Sequence, residues 1–392
     1  MRSHKVNKKV VVAMSGGIDS SVAAALLKRA GPAPEQARYG VNFDVIGVFM
    51  KFWSEPRSGS TLIYADSNAD LRRYENRCCS SEAEARARKV AKILKIPFYV
   101  LNFEKEFKKR IVDYFLKEHK AGRTPNPCVV CNKEIKFGLL LEKALKLNAD
   151  FVATGHYARI KKRFVNSREI RYSLISAKDK EKDQSYFLWM LNQKQLKRIL
   201  FPVGDLTRKE VKNLAKKFKL PVLKARKSVE ICFIQTTIND FLKRYLKQKP
   251  GPIVEKSHYG VKKIIGQHRG LWFYTIGQRK GIGLSGGPYY VLDKDLKKNF
   301  LIVTKNERNL YKKELVAKNV NWISGRAPKL PLKVQAKIRY RHQPASTTLT
   351  YNLKPKTYHL KFNKPQRAIT PGQSVVFYKG EELLGGGIIC EN

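Results

Sequence analysis

Acidic residues are the scarce class in this chain: 32 Asp and Glu face 79 Lys and Arg in 392 residues, a formal net charge of +47. Also missing is any run approaching the roughly 20 consecutive apolar residues that a membrane span requires. The segment Met1 to Lys9 carries no apolar core of the signal-peptide kind, so the expectation is a cytosolic protein with no membrane association. Six cysteines in a chain of this length do not make a secreted disulfide scaffold, which leaves thiols as chemical tools or structural bystanders. No internal repeat and no low-complexity tract is present. With 43% hydrophobic and 10% aromatic residues the chain is not of the disordered class.

What remains is a folded, strongly basic chain whose length suggests two or three domains. The positive excess is spread along the sequence rather than gathered in a tail. A surface of that kind suits a large folded nucleic acid touching every domain, because phosphate contacts supply most sequence-independent affinity. A general Lys enrichment accounts for part of the excess.

Around Lys9 the stretch KKVVVAMSGGIDSSVAAALLKRAG predicts a strand, a Ser-Gly-Gly turn and a helix stopped at Gly31. Further strands are expected at Asp44 to Phe52, Phe98 to Asn102 and Phe151 to Thr154, with helices at Glu82 to Leu94, Glu104 to His119 and Lys133 to Leu147. This alternation predicts an α/β doubly wound parallel sheet. Ser54 to Arg77 reads as a surface excursion and is assigned no structure. Thr207 with Glu210 forms a capping box that opens a basic helix closing the first domain. Beyond Asp240, short β-type runs punctuated by Gly and Pro predict a small β-rich central domain. Period-two runs from Lys313 onward predict a C-terminal β-barrel. The expected divisions are residues 1–238, 239–312 and 313–392.

Ser15, Gly16, Gly17, Ile18, Asp19 and Ser20 lie between a buried strand and a helix start. There backbone N–H groups and the helix dipole favour a phosphate. An ordinary glycine turn with Asp19 or Ser20 as helix cap is the bland alternative. The loop lacks the Lys of G-x-x-x-x-G-K-[ST], so it is not the usual γ-phosphate machinery. SGGIDSS resembles the pyrophosphatase loop of the N-type ATP pyrophosphatases, a Rossmann-like group that cleaves between the α- and β-phosphates and adenylates an oxygen. Shared with GMP synthetase and argininosuccinate synthetase, the loop alone does not choose an acceptor.

GRTPNPCVVCNKEIKFG sets Cys128 and Cys131 behind two prolines, with a helix N-terminus expected near Cys131, where a thiol pKa falls. Cys232 in VEICFI is the third candidate. A redox pair, a buried thiol and a structural zinc are all open on spacing alone. Zinc wants four ligands, and Cys78 and Cys79 complete the set on paper.

In order along nearly the whole chain, AMSGGIDSSV, VFMKFW, AGRTPNPCVVCNKEIKFG, ATGHYAR, KDQSYFLWML, FPVGDLTR, EICFI, HRGLWFYTIGQRKGIG, YYVLDKD, IRYRH and TPGQSVVFYKGEELLGGGII resemble the tRNA-specific 2-thiouridylase family. The resemblance implies ATP-dependent thiolation of the wobble uridine of tRNA, with ATP, Mg²⁺ and a persulfide-carrying sulfur donor protein as requirements. It implies that Cys232 bears the persulfide and that Cys131 releases the sulfur and ends in a disulfide with Cys232. It implies ATP contacts at Ala13, Met14, Ser15, Gly16, Gly17, Ile18, Asp19, Ser20, Met50 and Gly155. The segment Asn126, Pro127 and Cys128 falls beside the target base, and His156, Lys182, Asp183, Gln184, Arg339, Tyr340 and Gln373 fall at tRNA contacts. Some members carry Asp where this chain has Cys128, so a carboxylate's proton-transfer role does not carry over. The thiol's reference pKa is about 8.5 against about 3.9 for Asp. Cys128, Cys131 and Cys232 together also raise an iron–sulfur cluster as the alternative to a persulfide. Cys390, Cys78 and Cys79 read as structural thiols. His156 reads as a ligand residue at a strand's carboxyl end or a satisfied core histidine, and Arg339 to Arg341 as an RNA contact or a solvated strand edge.

Overall fold

The computed structural model describes residues 7–28, 42–56, 73–74, 79–165, 169–223, 231–256, 262–354 and 356–391. The first unit holds a five-stranded parallel sheet. Its strands are β1 (Lys8–Ala13), β2 (Phe43–Lys51), β3 (Phe98–Asn102), β4 (Phe151–Ala153) and, beyond an antiparallel hairpin β5 (Ala158–Phe164) and β6 (Ile170–Ser176), β7 (Ile199–Leu200). Their order is β3-β2-β1-β4-β7. Residues Val10 to Val12 of β1 are at most 1% exposed, as expected of a strand covered on both faces. The chain moves outward from β1 on one side and then restarts on the other, so the carboxyl ends of β1 and β4 flank the switch point where such sheets bind ligands.

Helix α1 (Ile18–Lys28) follows β1 and α2 (Ser81–Leu94) precedes β3. The side chain of Ser80 caps α2 by accepting from Ala83 N, and acidic Glu82 and Glu84 complement the first-turn dipole. Glu104–Phe107, Lys108–Val112 and Asp113–Lys120 run on as one helix, α3, with a widened turn in its middle. Helix α4 is likewise built of Pro127–Cys131, a wide-turned Asn132–Leu139 and Leu140–Lys146. Its start corrects the sequence reading. Proline's fixed φ suits a first helical position, so the helix opens at Pro127 instead of Lys133. That puts Cys128 in the first turn and moves Cys131 away from the N-terminus. Helix α5 (Arg208–Lys217) has the expected Thr207 and Glu210 capping box. Within the excursion, Glu55–Pro56 pairs with Arg73–Tyr74. Most of that segment, and Cys78 just after it, lies outside the described residues.

The central unit opens with α6 (Ile238–Tyr245), which β-type patterning does not announce, and continues as β8 (Gly251–Lys256), β9 (Lys262–His268), β10 (Tyr290–Asp295) and β11 (Phe300–Thr304) in the order β9-β8-β11-β10. The last unit contains β12 (Tyr311–Trp322), β13 (Leu332–Lys337), β14 (Ala345–Asn352), β15 (Thr357–Arg367), β16 (Ser374–Lys379) and β17 (Glu382–Ile389). These six close into an antiparallel barrel through β12–β17 pairing. The β5–β6 hairpin of the first unit extends this sheet, with Glu382 opposite Ile175 and Leu383 opposite Leu174. One apolar core runs from Val10 through Phe241 to Ile253 and Val303, joining first and central units. A second, centred on Tyr186 and Trp189, joins the first unit to Val376 and Tyr378 of the barrel. No described helix is long and apolar enough to cross a membrane.

Candidate active site

The loop after β1 is shaped by close approach. At Gly16, φ is +70° and a Cβ would sit 2.1 Å from the Ala83 carbonyl oxygen, so no side chain fits. The hydroxyl of Ser20 accepts from Ser15 N (3.1 Å) and donates to Gly17 O (3.2 Å), while Ser21 Oγ donates to the same carbonyl at 2.8 Å. These bonds set the turn and leave the start of α1 aimed outward from an exposed Ser15. Gly155, after β4, packs against the loop from the other side of the switch point: a Cβ there would lie 2.5 Å from Ser20 N. Ala13, Met14 and Ile18 are buried beneath the loop, and Met50 is half-buried at the end of β2. Tyr157 OH donates to Asp19 Oδ1 at 2.8 Å, and Arg208 Nη1 donates to the same oxygen. Burial and the Asp19 charge push the Tyr157 hydroxyl up, keeping it a donor.

From Tyr157 the contacts continue toward the barrel. Gln184 N donates to Tyr157 O (2.8 Å), and Tyr157 N donates to Gln184 Oε1 (3.0 Å). Two residues on, Tyr186 OH donates to Ser374 O at 2.9 Å and reaches Asn126 Oδ1 at 3.4 Å. Asn126 Nδ2 donates to Gln373 Oε1 (2.9 Å), Asn126 Oδ1 accepts from Ser374 N (2.6 Å), and Gln373 Nε2 donates to Thr124 O (3.0 Å). Tyr340 packs on Phe187 with ring centres 4.5 Å apart. Motifs spread from residue 126 to residue 374 therefore meet around Tyr186.

Most of the polar residues placed at tRNA contacts by resemblance are engaged within the protein. Asp183 accepts from Ala177 N, Ser185 N and Ser185 Oγ. Arg339 Nη2 donates to Arg367 O at 2.8 Å. His156 sits between Phe137 and Phe201 with Nδ1 2.7 Å from Thr154 Oγ1. Burial, and secondarily Lys136, push its pKa well below the ordinary histidine range, so it is a neutral ring. Lys182 is exposed.

Cys128 and Cys131, three apart, share one face of α4. Cys131 is buried, Cys128 is half-buried, and both Cys131 and Cys232 border the same core. Position 232 is set by its neighbour Phe233, whose ring meets Phe107, Phe115 and Phe241 at centroid distances of 5.9, 5.5 and 5.5 Å. Helix α6 is fixed in turn by Arg244, which makes a two-point bond (2.6 and 2.8 Å) to Glu55, a carboxylate only 1% exposed.

Among the described residues no three His, Cys, Asp or Glu side chains are gathered as a metal ligand set. Neither the three-thiol cluster nor a zinc site built with Cys79 has its donors assembled. The Cys79 sulfur instead accepts from Phe52 N at 3.1 Å. A Mg²⁺ ion arriving with a triphosphate needs less, since one or two carboxylates and phosphate oxygens suffice. Asp19 offers Oδ2, which accepts no hydrogen bond from the described residues. Sequence reasoning missed Tyr157, Arg208 and the Glu55–Arg244 pair; Tyr157 and Arg208 lie inside blocks that drew attention, ATGHYAR and FPVGDLTR, whereas Glu55 and Arg244 do not.

Residues 8–236 match the model of the tRNA methyl transferase HUP domain, 239–305 the tRNA methyl transferase PRC-barrel domain and 312–389 the aminomethyltransferase beta-barrel domain. The chain is 44% identical over 389 residues to a tRNA-specific 2-thiouridylase MnmA of Clostridium perfringens, covering 97% of this chain and 98% of that one. It is 43% identical to a protein of the same name from Clostridioides difficile, covering 98% of each, and 43% identical to another from Geobacillus thermodenitrificans, covering 98% of this chain and 95% of that one.

Proposed function

Because the chain belongs to the tRNA-specific 2-thiouridylase family, we propose that it replaces the 2-oxygen of the wobble uridine of tRNA with sulfur, converting ATP to AMP and pyrophosphate. The observation that carries this reading is the continuous set of contacts from Asp19 through Tyr157, Gln184 and Tyr186 to Asn126 and Gln373. It ties a phosphate loop to the thiol-bearing helix and to a basic barrel.

In the proposed reaction, tRNA lies across segments 1–238, 239–312 and 313–392, and the uridine leaves its stack, since chemistry on a stacked base needs extrusion. The ATP loop, with Ala13 to Ser20, Met50 and Gly155 around it, holds the triphosphate, and Mg²⁺ beside Asp19 would offset its charge. The uridine 2-oxygen attacks the α-phosphate, the α–β bond breaks and pyrophosphate departs. Adenylation turns a poor oxygen leaving group into AMP.

The terminal sulfur of a persulfide on Cys232 then attacks C2, and AMP leaves with the former 2-oxygen. Thiolate Cys131 attacks the Cys232 sulfur, which breaks the S–S bond, frees the 2-thiouridine and leaves a Cys131–Cys232 disulfide. Alternatively Cys131 first liberates hydrosulfide, which attacks C2. Either route requires a thiol reductant to reopen the disulfide and a persulfide-carrying donor protein to recharge Cys232. Asn126, Pro127 and Cys128 border the base, and Lys182 and the Arg339–Tyr340 turn after β13 lie toward the RNA. The setting is the cytoplasm.

The test is pyrophosphate release with unmodified tRNA against small carbonyl acceptors. Stimulation by tRNA alone is expected; stimulation by a small acceptor instead points to a synthetase of another kind.

A further inference from the structure

A phosphate loop without its own lysine leaves open which cation meets the triphosphate. Two basic side chains bond the loop or its helix start, Arg86 and Arg208, and a third, Lys178, pairs with α5 beside Arg208; Arg86 and Lys178 are committed elsewhere. Arg86 Nε donates to Gly16 O at 3.2 Å and its Nη1 pairs with Glu82 at 2.5 Å. Lys178 Nζ is held by Glu210 at 3.0 Å. Arg208 differs: Nη1 bonds Asp19 and the guanidinium also bonds the Tyr157 hydroxyl, contacts that use only part of its five-donor fork. A guanidinium carries five donors in a fixed fork suited to phosphate oxygens, so one arm can stay on a carboxylate while the others face an anion.

We propose that Arg208 binds the β- and γ-phosphates of ATP, and then the pyrophosphate product, with Asp19 as the carboxylate that aims it. This rests on the proposed adenylation and names a residue that the loop motif does not contain.

The placement of Arg208 is built, not incidental. Its backbone N donates to Asp179 Oδ2 at 2.9 Å. Thr207 before it is locked by the capping box, with Thr207 N donating to Glu210 Oε2 at 2.6 Å. Asp19 lies in the first turn of α1, 189 positions away in sequence. The side chain of Arg208 is 27% exposed, which leaves its fork open to a ligand at the loop. The same contact has an electrostatic logic. Asp19 alone would repel a triphosphate, and Arg208 cancels that charge while adding donors of its own. The proposal gives Arg208 the two outer phosphates, so its effect should be felt by ATP and pyrophosphate and not by AMP.

The experiment measures affinities of the full-length protein and its variants for ATP, inorganic pyrophosphate and AMP by calorimetry. For Arg208→Met, affinity for ATP and for pyrophosphate is expected to fall about 30-fold or more and for AMP less than 3-fold; Arg208→Lys should recover part of the loss. Equal losses for ATP and AMP would mean that Arg208 only shapes the loop, and would overturn the proposal. Restoration of ATP affinity in Asp19→Asn/Arg208→Met would mean that it only neutralises Asp19, and would overturn it too. Should Arg208→Met fail to fold, Arg208→Lys alone decides, since it must weaken ATP more than AMP. A native protein that binds ATP but releases no pyrophosphate with tRNA contradicts the proposed function and leaves the phosphate assignment to stand on the ATP and AMP comparison.

Discussion

Asn126 and Gln373, 247 residues apart, exchange a side-chain hydrogen bond of 2.9 Å at the mouth of the thiol-bearing helix. Asn126 is the residue from which α4 starts, yet its side chain makes no capping bond to that helix and turns to the barrel instead. The barrel therefore sets where Cys128 and Cys131 stand.

Gln373→Ala removes that bond and the one to Thr124 O. The loss should cost about 2 kcal/mol of stability, read from denaturant unfolding. Turnover of tRNA thiolation should fall about tenfold while ATP affinity stays within twofold. A parallel loss of ATP affinity would show that the loop and the barrel are not separable.

Gly155→Ala forces a methyl group to within 2.5 Å of Ser20 N, across the switch point. ATP affinity should drop at least tenfold, with tRNA affinity retained. Gly16→Ala, which combines a positive φ with a clash against backbone, should be the more damaging of the two. Filter binding of tRNA and calorimetry with ATP separate the two effects.

Much of this was legible in the sequence. The apolar run before SGGIDSS, the Thr207 and Glu210 capping box and the period-two runs after Lys313 encode local rules, and each appears where those rules put it. The start of α4 was misread because Pro127 looks like a breaker when its N1 role is overlooked. The pairings of Asp19 with Arg208 and of Asn126 with Gln373 are invisible for another reason: FPVGDLTR and TPGQSVV contain the residues, but tertiary packing alone decides which partner each one meets. The β5–β6 hairpin was hidden likewise, since its pairing with β17 spans two units.

His119 is buried against Phe115 beside Lys294 and Glu118, with Nδ1 3.3 Å from Trp272 O. Burial first, then the Lys294 charge, lowers its pKa from 6.5 to about 4. Between those values the unfolded chain holds a proton that the folded ring does not. Stability is therefore full above pH 6.5 and declines on acidification, by about 2 kcal/mol at pH 5 for this group. His119→Gln should flatten the pH 6.5 to 5 segment of the unfolding curve relative to native protein; an unchanged slope would contradict the burial effect.

Cys128 and Cys131 share a helix face but carry different proposed duties. Cys131→Ser should lower multiple-turnover thiolation by 100-fold or more, because it removes the thiol proposed to release the sulfur. Cys128→Ser should retain at least a third of activity, and protein purified without oxygen should be active without stoichiometric iron. Loss of activity in Cys128→Ser together with loss of bound iron would favour the cluster.

The most direct measurement is a single-turnover reaction on unmodified tRNA, using protein whose persulfide carries labelled sulfur and counting AMP, pyrophosphate and 2-thiouridine at the wobble position. One of each per labelled Cys232 is the expected result, with no labelled tRNA from Cys232→Ser. Labelled tRNA from Cys232→Ser at the native rate, or thiouridine formed without AMP, would contradict the account.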